Sequence, residues 1–515
     1  MALGMKLGRI SPRAVAWLGG GAMAAQGALW FLGLGSRDAH WILAPVWIGA
    51  LLWLARSGGE DALGNRPANA GGDSRWPARA LVLVFGLAWI AALLRMYCSF
   101  RFSAFDLGIY SSIAFNTAHG HPFFSSPQQM NHLGEHFSPI MAVFAPLYRL
   151  APTPLWLLGA GLAAYLAAPL CLLRVARRLG VESAGGRWTA FGLALLWFLN
   201  APMARAVEFL FHPSTLAAPF VVLDWAAAAE RRWGRLAAWL AFPLLFKESL
   251  ALAAAGIGLW LLARRDTRGA GAVVLGLGLA AGVALAGWFI PFMRGGAWTH
   301  VERLAPLKDL LPKAGYMARL LLPFGFLHAR GRALLPALPL ILLNVSTGFA
   351  PQYGMGHHYD DIVVPLLFAG ALGGWAEGAR PVYFGWRRPL AVAAAALCVL
   401  LPLGPSPLRL AAAHRPTAEQ AAARRSLRVL AEQPELGHSM LYVQDHLDPF
   451  LPRLEKTVLE RLDPGHPPAG AWAVLSPNAP AWPDASFAEA LRRGRGIPGV
   501  AEAPGFPGLR VFRIP

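Results

Sequence analysis

Cysteine is scarce in this 515-residue chain. Cys98, Cys171 and Cys398 lie far apart, which excludes a disulfide framework and a cysteine-based zinc site. Charge is scarce too, at 14% of residues against the quarter or so usual for a soluble protein. Acids are the rarer sign, 28 against 46 Lys and Arg, leaving a net charge of +18. No basic stripe interleaved with aromatics accompanies that excess, so no nucleic-acid partner is expected. There is no internal repeat and no long low-complexity tract.

What is abundant is apolar sequence. Hydrophobic residues make up 56% of the chain, with 20 Trp and 28 Phe. They come in blocks close to the roughly 20 residues that span a bilayer. The expected fold class is an all-α polytopic membrane bundle of about 11–13 crossings by span-length counting. The arginines gather in short loops between the blocks: Arg174, Arg177 and Arg178; Arg231, Arg232 and Arg235; Arg264, Arg265 and Arg268; Arg380, Arg387 and Arg388. Short inner loops retain basic residues in this way. Lys6, Arg9 and Arg13 precede the first apolar run, which reads as an uncleaved signal anchor with a cytoplasmic N-terminus.

The charge rule then orders the chain. Residues 1–79 form a hairpin (15–34 and 41–54) and an inner loop. A core over 80–405 opens with a span at 80–94 and an outer loop at 98–137. Residues 138–150 are apolar but short and hold two prolines, as a re-entrant or interfacial helix would. Spans follow at 154–173, 188–201 and 215–229. The run at 236–262 lies between two basic loops yet is interrupted by Lys247-Glu248. Two flanks on one side require an even number of crossings, so two short helices should meet at that dipeptide, facing a cavity. Spans at 272–290, 316–328, 334–345, 362–375 and 390–403 complete the bundle. Residues 406–515 are polar and Pro-rich. A helix-like stretch (419–432) and strand-like runs (439–443, 471–475, 509–514) predict a small α/β domain, placed outside by an odd crossing count.

The chemistry-bearing groups fall on the outer side in this topology: Asp106, Glu135, His136, Glu208, His212, His357, His358, Tyr359 and Asp360, with Lys247 and Glu248 facing the same space from below. Each has a plainer role as well. Asp106 suits the N-cap of a helix beginning at Leu107. Glu135 and His136 suit a solvated loop. Glu208 and His212, four apart, would share a helix face as an acid/base or metal pair, or as an interfacial surface pair. Lys247-Glu248 has the least comfortable structural reading, because an ion pair inside a membrane is expensive.

Three stretches carry a family resemblance: Phe105-Asp106-Leu107-Gly108-Ile109, Asn116-Thr117-Ala118-His119-Gly120 and Leu133-Gly134-Glu135-His136-Phe137-Ser138-Pro139. Phe211-His212-Pro213, Phe246-Lys247-Glu248, His358-Tyr359 and Val364-Pro365-Leu366-Leu367-Phe368 extend it. Together they resemble a family of uncharacterised bacterial multi-pass membrane proteins, itself similar to the GT-C glycosyltransferases. The resemblance implies a GT-C-like core in the bacterial inner (cell) membrane, handling membrane lipids and a polyprenyl-phosphate-linked sugar donor. It implies an acidic residue of the first outer loop as catalyst. Here a single Asp106 stands where some members have paired acids.

On that reading Asp106 and Glu135 are the catalytic pair, Asp106 the base. Lys247, with Arg294 or Lys308, takes the phosphate. Glu208, Glu248, His136, His212, His358 and Tyr359 contact substrate. A divalent cation (Mg or Mn), if used, has Asp106, Glu135 and His136 as candidate ligands. The competing class is a transporter or flippase of a lipid-linked or small polar substrate, which would need a pathway reaching the basic inner loops. A third is an envelope binding or assembly protein on the same scaffold.

Overall fold

The structure is a computed structural model that describes residues 76–180, 187–209, 211–298, 300, 303–324, 332–376, 405–463, 468–481 and 500–515, with single positions elsewhere. The expected hairpin at 15–34 and 41–54, the end of the 316–328 span, the 390–403 span, Glu302, Arg380, Arg387, Arg388 and Cys398 lie outside the described residues.

The chain is mostly helical. Among the described residues the first long helix, α1 (Trp76–Cys98), is apolar on all its faces. Phe85, Trp89, Ala92 and Met96 turn into the core, while Leu83, Leu87, Ile90 and Leu94 stand exposed on the opposite face. That exposed stripe repeats at helical spacing, as expected of a surface solvated by lipid rather than water. A turn at residues 104–108 leads into α2 (Ile109–Ala118). A two-residue hairpin follows, β1 (Phe124–Ser125) with β2 (Met130–Asn131). The stretch expected at 138–150 is a short 3₁₀ segment (Pro139–Phe144) and α3 (Ala145–Leu150).

Helix α4 (Leu155–Arg178) is long and carries Arg177 and Arg178 in its last turn, where cations suit the helix dipole. It is followed by α5 (Arg187–Phe198), α6 (Ala201–Phe209) and α7 (Pro213–Ala229). The next apolar run does break at Lys247-Glu248: α8 (Trp233–Leu244) ends beside Pro243, and α9 (Leu250–Leu262) starts after the turn. Then come α10 (Arg268–Ala284) and α11 (Ile290–Arg294), joined through one wide turn into a 30-residue helical run over Arg265–Arg294. The described part of the bundle continues with α12 (Leu310–Leu321), α13 (Leu338–Ser346) and α14 (Val363–Ala376). Among the described residues, Trp76–Cys98, Leu155–Arg178 and Arg265–Arg294 are each long and apolar enough to cross a membrane. The other apolar helices are shorter, and prolines and polar residues interrupt them.

The last stretch is an α/β unit. Helix α15 (Pro407–Ala413) lies on α1, where Arg95 donates to the Ala411 carbonyl at 2.7 Å. Helix α16 (Ala418–Ala431) starts in a Thr417/Gln420 capping box. Five strands, β3 (Leu441–Val443), β4 (Lys456–Val458), β5 (Trp472–Leu475), β6 (Ala501–Ala503) and β7 (Arg510–Arg513), form one mixed sheet in the order β4-β3-β5-β7-β6. β3 runs parallel to β4 and β5, and β7 runs antiparallel to β5 and β6. Every side chain of the central β5 is buried, as in a strand covered on both faces. Two strands, β4 and β6, carry no apolar run that sequence alone would read. The core of this unit includes Phe100, a residue of the loop after α1. The sheet region is therefore packed onto the first loop of the bundle.

Candidate functional site

A cavity of about 680 Å³ lies where these elements converge. Its wall draws on the 104–108 turn, the hairpin loop, the head of α7, the α8–α9 turn, the loop after α11, and the segment before α14. The structure brings Asp106, Glu135, His136, His212, Lys247, Glu248, His357, His358 and Tyr359 to this one space. One wall is apolar, with Leu252, Ala286, Leu304, Leu340 and Leu343.

The two acids of the first loop are presented differently. Asp106 does not cap a regular helix; its backbone turns through φ 60° and ψ −81°. That left-handed, non-glycine conformation costs of order 1–3 kcal/mol and persists only where surroundings impose it. Among the described residues its carboxyl has no hydrogen-bond or ion-pair partner. Burial pushes it up to about 7, opposed by the Lys247 ammonium.

Glu135 is held on all sides. Arg294 pairs with Oε2, His300 Nε2 lies 3.1 Å from Oε1, and Trp298 Nε1 donates to its main-chain carbonyl at 2.9 Å. The His300 hydrogen bond, helped by His136 and Arg294, draws its carboxyl down to about 2. The glycine of the Gly-Glu-His run has a physical reason: a Cβ at Gly134 would fall 2.9 Å from the Arg294 Cα, so only glycine lets the loop reach that backbone.

Lys247 and Glu248 do not pair with each other. Glu248 accepts from the Phe137 amide at 3.0 Å and sits 3.0 Å from His136 Nδ1. Lys247 Nζ lies 3.4 Å from His212 Nε2, and the Tyr110 hydroxyl lies 3.1 Å from the same nitrogen. On the other side of the ring, His212 Nδ1 is 2.7 Å from Ser214 Oγ, which donates onward to Asp361 Oδ2 at 2.5 Å. The Ser214 amide also donates to His212 Nδ1 at 3.3 Å, so this nitrogen caps the helix that begins at Pro213. His358 stacks flat on His212, centroids 3.8 Å apart. Both His358 nitrogens and His132 Nε2 are buried without a protein partner among the described residues. Buried polar atoms are seldom left so, and at a cavity wall they are hooks for a polar ligand.

Several sequence assignments need correction. Glu208 is absent from the cavity wall and pairs with Arg205 at 2.6 Å. It shares no helix face with His212, because α6 stops at Phe209 and His212 caps α7 instead. Asp360 turns away from the cavity and accepts from the Tyr316 hydroxyl at 2.6 Å. Arg294 is engaged by Glu135, and Lys308 is not in the wall. Arg303 is, with its guanidinium 4.6 Å over the Phe349 ring. Asp106 belongs to no group able to share a metal among the described residues. Among the described residues, the group whose ligand atoms lie within 4.8 Å of one another is Glu135, His136 and His300. His300 was readable by the same sidedness argument as His136, since it follows Trp298 in a loop already counted as outer. Asp361, Ser214 and Tyr110 gave no sequence signal, because their roles come from partners distant along the chain.

Comparison with known proteins supports part of the sequence reading. The family described as "predicted membrane protein (DUF2079)" matches residues 96–429, more than half the chain. No curated protein matches. Among solved structures the chain is similar to ArnT from Cupriavidus metallidurans bound to undecaprenyl phosphate, at 16% identity and a TM-score of 0.47, over 83% of this chain and 97% of that one. The chain belongs to the DUF2079 family and is a membrane protein.

Proposed function

We propose that this DUF2079 member is a membrane glycosyltransferase of GT-C type, moving a sugar from a polyprenyl-phosphate donor to an envelope acceptor at the outer face of the bacterial inner membrane. The observation that carries this is the pairing, in one cavity, of a carboxyl poised near neutrality with a buried ammonium beside an apolar wall. An anionic lipid-linked substrate calls for that combination. Its chain lies along Leu252, Leu340 and Leu343, and its charged head meets Lys247. The Phe-Asp-Leu-Gly and Gly-Glu-His-Phe-Ser-Pro stretches resemble those of a membrane-protein family that is itself similar to the GT-C glycosyltransferases, which supports the same reading.

The chemistry follows from the groups. The acceptor hydroxyl attacks the anomeric carbon from the face opposite the phosphate and inverts it. The bond from that carbon to the phosphate oxygen breaks, and polyprenyl phosphate leaves with the electron pair. Asp106 receives the hydroxyl proton as general base, a role for which a pKa near working pH is suited. Lys247, and Arg303 in place of Arg294 or Lys308, stabilises the departing phosphate. His132 Nε2 and both His358 nitrogens, which have no partner among the described residues, bind sugar hydroxyls together with Tyr359. Glu135, His136 and His300 would hold a divalent cation if one is used. Two imidazoles and one carboxylate suit zinc or manganese better than magnesium. Such an ion would supply positive charge at the head of the cavity.

The transporter reading has less support. None of the basic inner-loop residues 174–178, 231–235 or 264–268 is in the cavity wall. The test is to incubate purified protein in nanodiscs with a panel of polyprenyl-phosphate sugars and measure released polyprenyl phosphate by mass spectrometry. Release from at least one donor, dependent on an acceptor, is expected. No release from any, together with vectorial movement of a lipid-linked sugar in vesicles, would replace transfer by transport.

A further inference from the structure

The strained turn that presents Asp106 is gripped by the far end of the chain. The Ala104 amide donates to Asp445 Oδ1 at 3.2 Å, across 341 residues of sequence. Asp448 lies against Gly108, whose hydrogen points where a side chain would overlap Asp448 Oδ1. Gly108 has an ordinary helical backbone (φ −66°). Glycine is therefore required there by the approach of Asp448 and not by backbone conformation. Behind this contact, Lys456 Nζ is 3.0 Å from Asp448 Oδ1 and donates to the Asp448 carbonyl at 2.7 Å. All three side chains are buried, at 2% exposure or less. The same 445–450 turn also sends Phe450 to stack on Tyr97 at the end of α1.

A second attachment runs to the other half of the loop. Gln129 donates to the Lys456 carbonyl at 2.9 Å and Arg461 donates to the Gln128 carbonyl at 3.0 Å. The Gln128 side chain in turn meets His132 Nδ1 at 2.8 Å in the cavity wall. A domain needed only for solubility or for an external partner has no reason to bury two carboxylates and a lysine on that turn, since desolvating such charges is costly.

We propose that the C-terminal sheet domain is a working part of the site: Asp445, backed by Asp448 and Lys456, clamps the 104–108 turn and so holds Asp106 in its strained, cavity-facing conformation. These three are positioning residues, and their catalytic consequence rests on the transferase reading above. Asp445 needs only an acceptor oxygen toward the Ala104 amide, so Asp445→Asn keeps the clamp and Asp445→Leu removes it.

The test uses the full chain in nanodiscs, with hydrogen exchange read by mass spectrometry. In Asp445→Leu, exchange of peptides covering 100–108 rises at least about tenfold while peptides from 155–178 stay as in wild type. Asp445→Asn behaves as wild type. Gly108→Ala, which pushes a methyl into Asp448 from the other side, loosens the same peptides and serves if Asp445→Leu does not fold. In the transfer assay, Asp445→Leu lowers kcat about tenfold or more with KM within about twofold, and Asp445→Asn restores kcat. Unchanged exchange over 100–108 in Asp445→Leu and Gly108→Ala overturns the clamp, as does an Asp445→Asn variant as loose as Asp445→Leu. If wild type transfers no sugar, the transferase reading falls while the exchange result still decides the clamp.

Discussion

The two ends of the first loop carry one acid each, reach the same cavity, and are held by different parts of the protein. The Asp106 end is gripped by the C-terminal sheet domain through backbone contacts, which leave the carboxyl itself without a partner among the described residues. The Glu135 end is gripped through the carboxylate, by Arg294 and His300 from the segment after α10. One acid is therefore raised to about 7 and the other lowered to about 2. Two carboxylates with pKa values pushed apart by their surroundings are suited to different tasks. On the proposed reading proton transfer falls to Asp106, while Glu135, fixed by Arg294 and His300, serves as a standing charge.

The sharpest way to break this division is to neutralise each acid in turn. Asp106→Asn should lower kcat by about 10²–10⁴, the usual contribution of a general base, with KM nearly unchanged. If Asp106→Asn kept full activity while Glu135→Gln lost it, the roles would be reversed. Glu135→Gln should act differently, lowering both thermal stability and activity by leaving the Arg294 guanidinium unmatched. The double variant Glu135→Gln/Arg294→Gln should then recover part of the loss, with a coupling of about 1–3 kcal/mol in a double-mutant cycle. Strict additivity would mean the pair is incidental.

The pH response sharpens the same contrast. If Asp106 is the base, as proposed, it must be ionised to act, so kcat should rise with pH through a limb near 7. Lys247 holds that limb down, and Lys247→Met should move it to higher pH. A limb that stayed in place would remove Lys247 from the neighbourhood of the base. Glu135, with its lowered pKa, contributes stability that is complete above its usual range and is lost as pH falls toward 2; it should give no limb near neutrality. The smallest effect belongs to Glu208. Its ion pair with Arg205 lies outside the cavity, so Glu208→Gln should leave activity within about twofold and cost roughly 0.5 kcal/mol or less, read by thermal unfolding.

Much of the fold was readable in advance. The break at Lys247-Glu248 followed from two basic flanks around one apolar run, and the structure places the turn there. The short segment at 138–150 and the helix of the tail were legible from length, proline and polarity. Strands β4 and β6 were not, because three-residue strands take their identity from a neighbour. Grouping the candidate residues by side of the membrane pointed to residues that now line one cavity, and the same argument wrongly included Glu208. Sidedness says which compartment a residue meets; it does not say which way the side chain turns within it.

Sequence alone was enough for the class of protein, for a mostly helical chain with several apolar helices and a small C-terminal α/β unit, and for naming candidate residues in the first loop. Hydropathy and loop charge are sums over neighbours in the chain, so they survive without coordinates. Only the tertiary structure decided that Asp106 has no partner among the described residues, that Arg294 belongs to Glu135, that His300 joins Glu135 and His136, and that Asp445 and Asp448 reach back to the Asp106 turn. Those facts depend on who stands within a few ångströms, and the deciding partners lie from about 160 to 340 residues away along the chain.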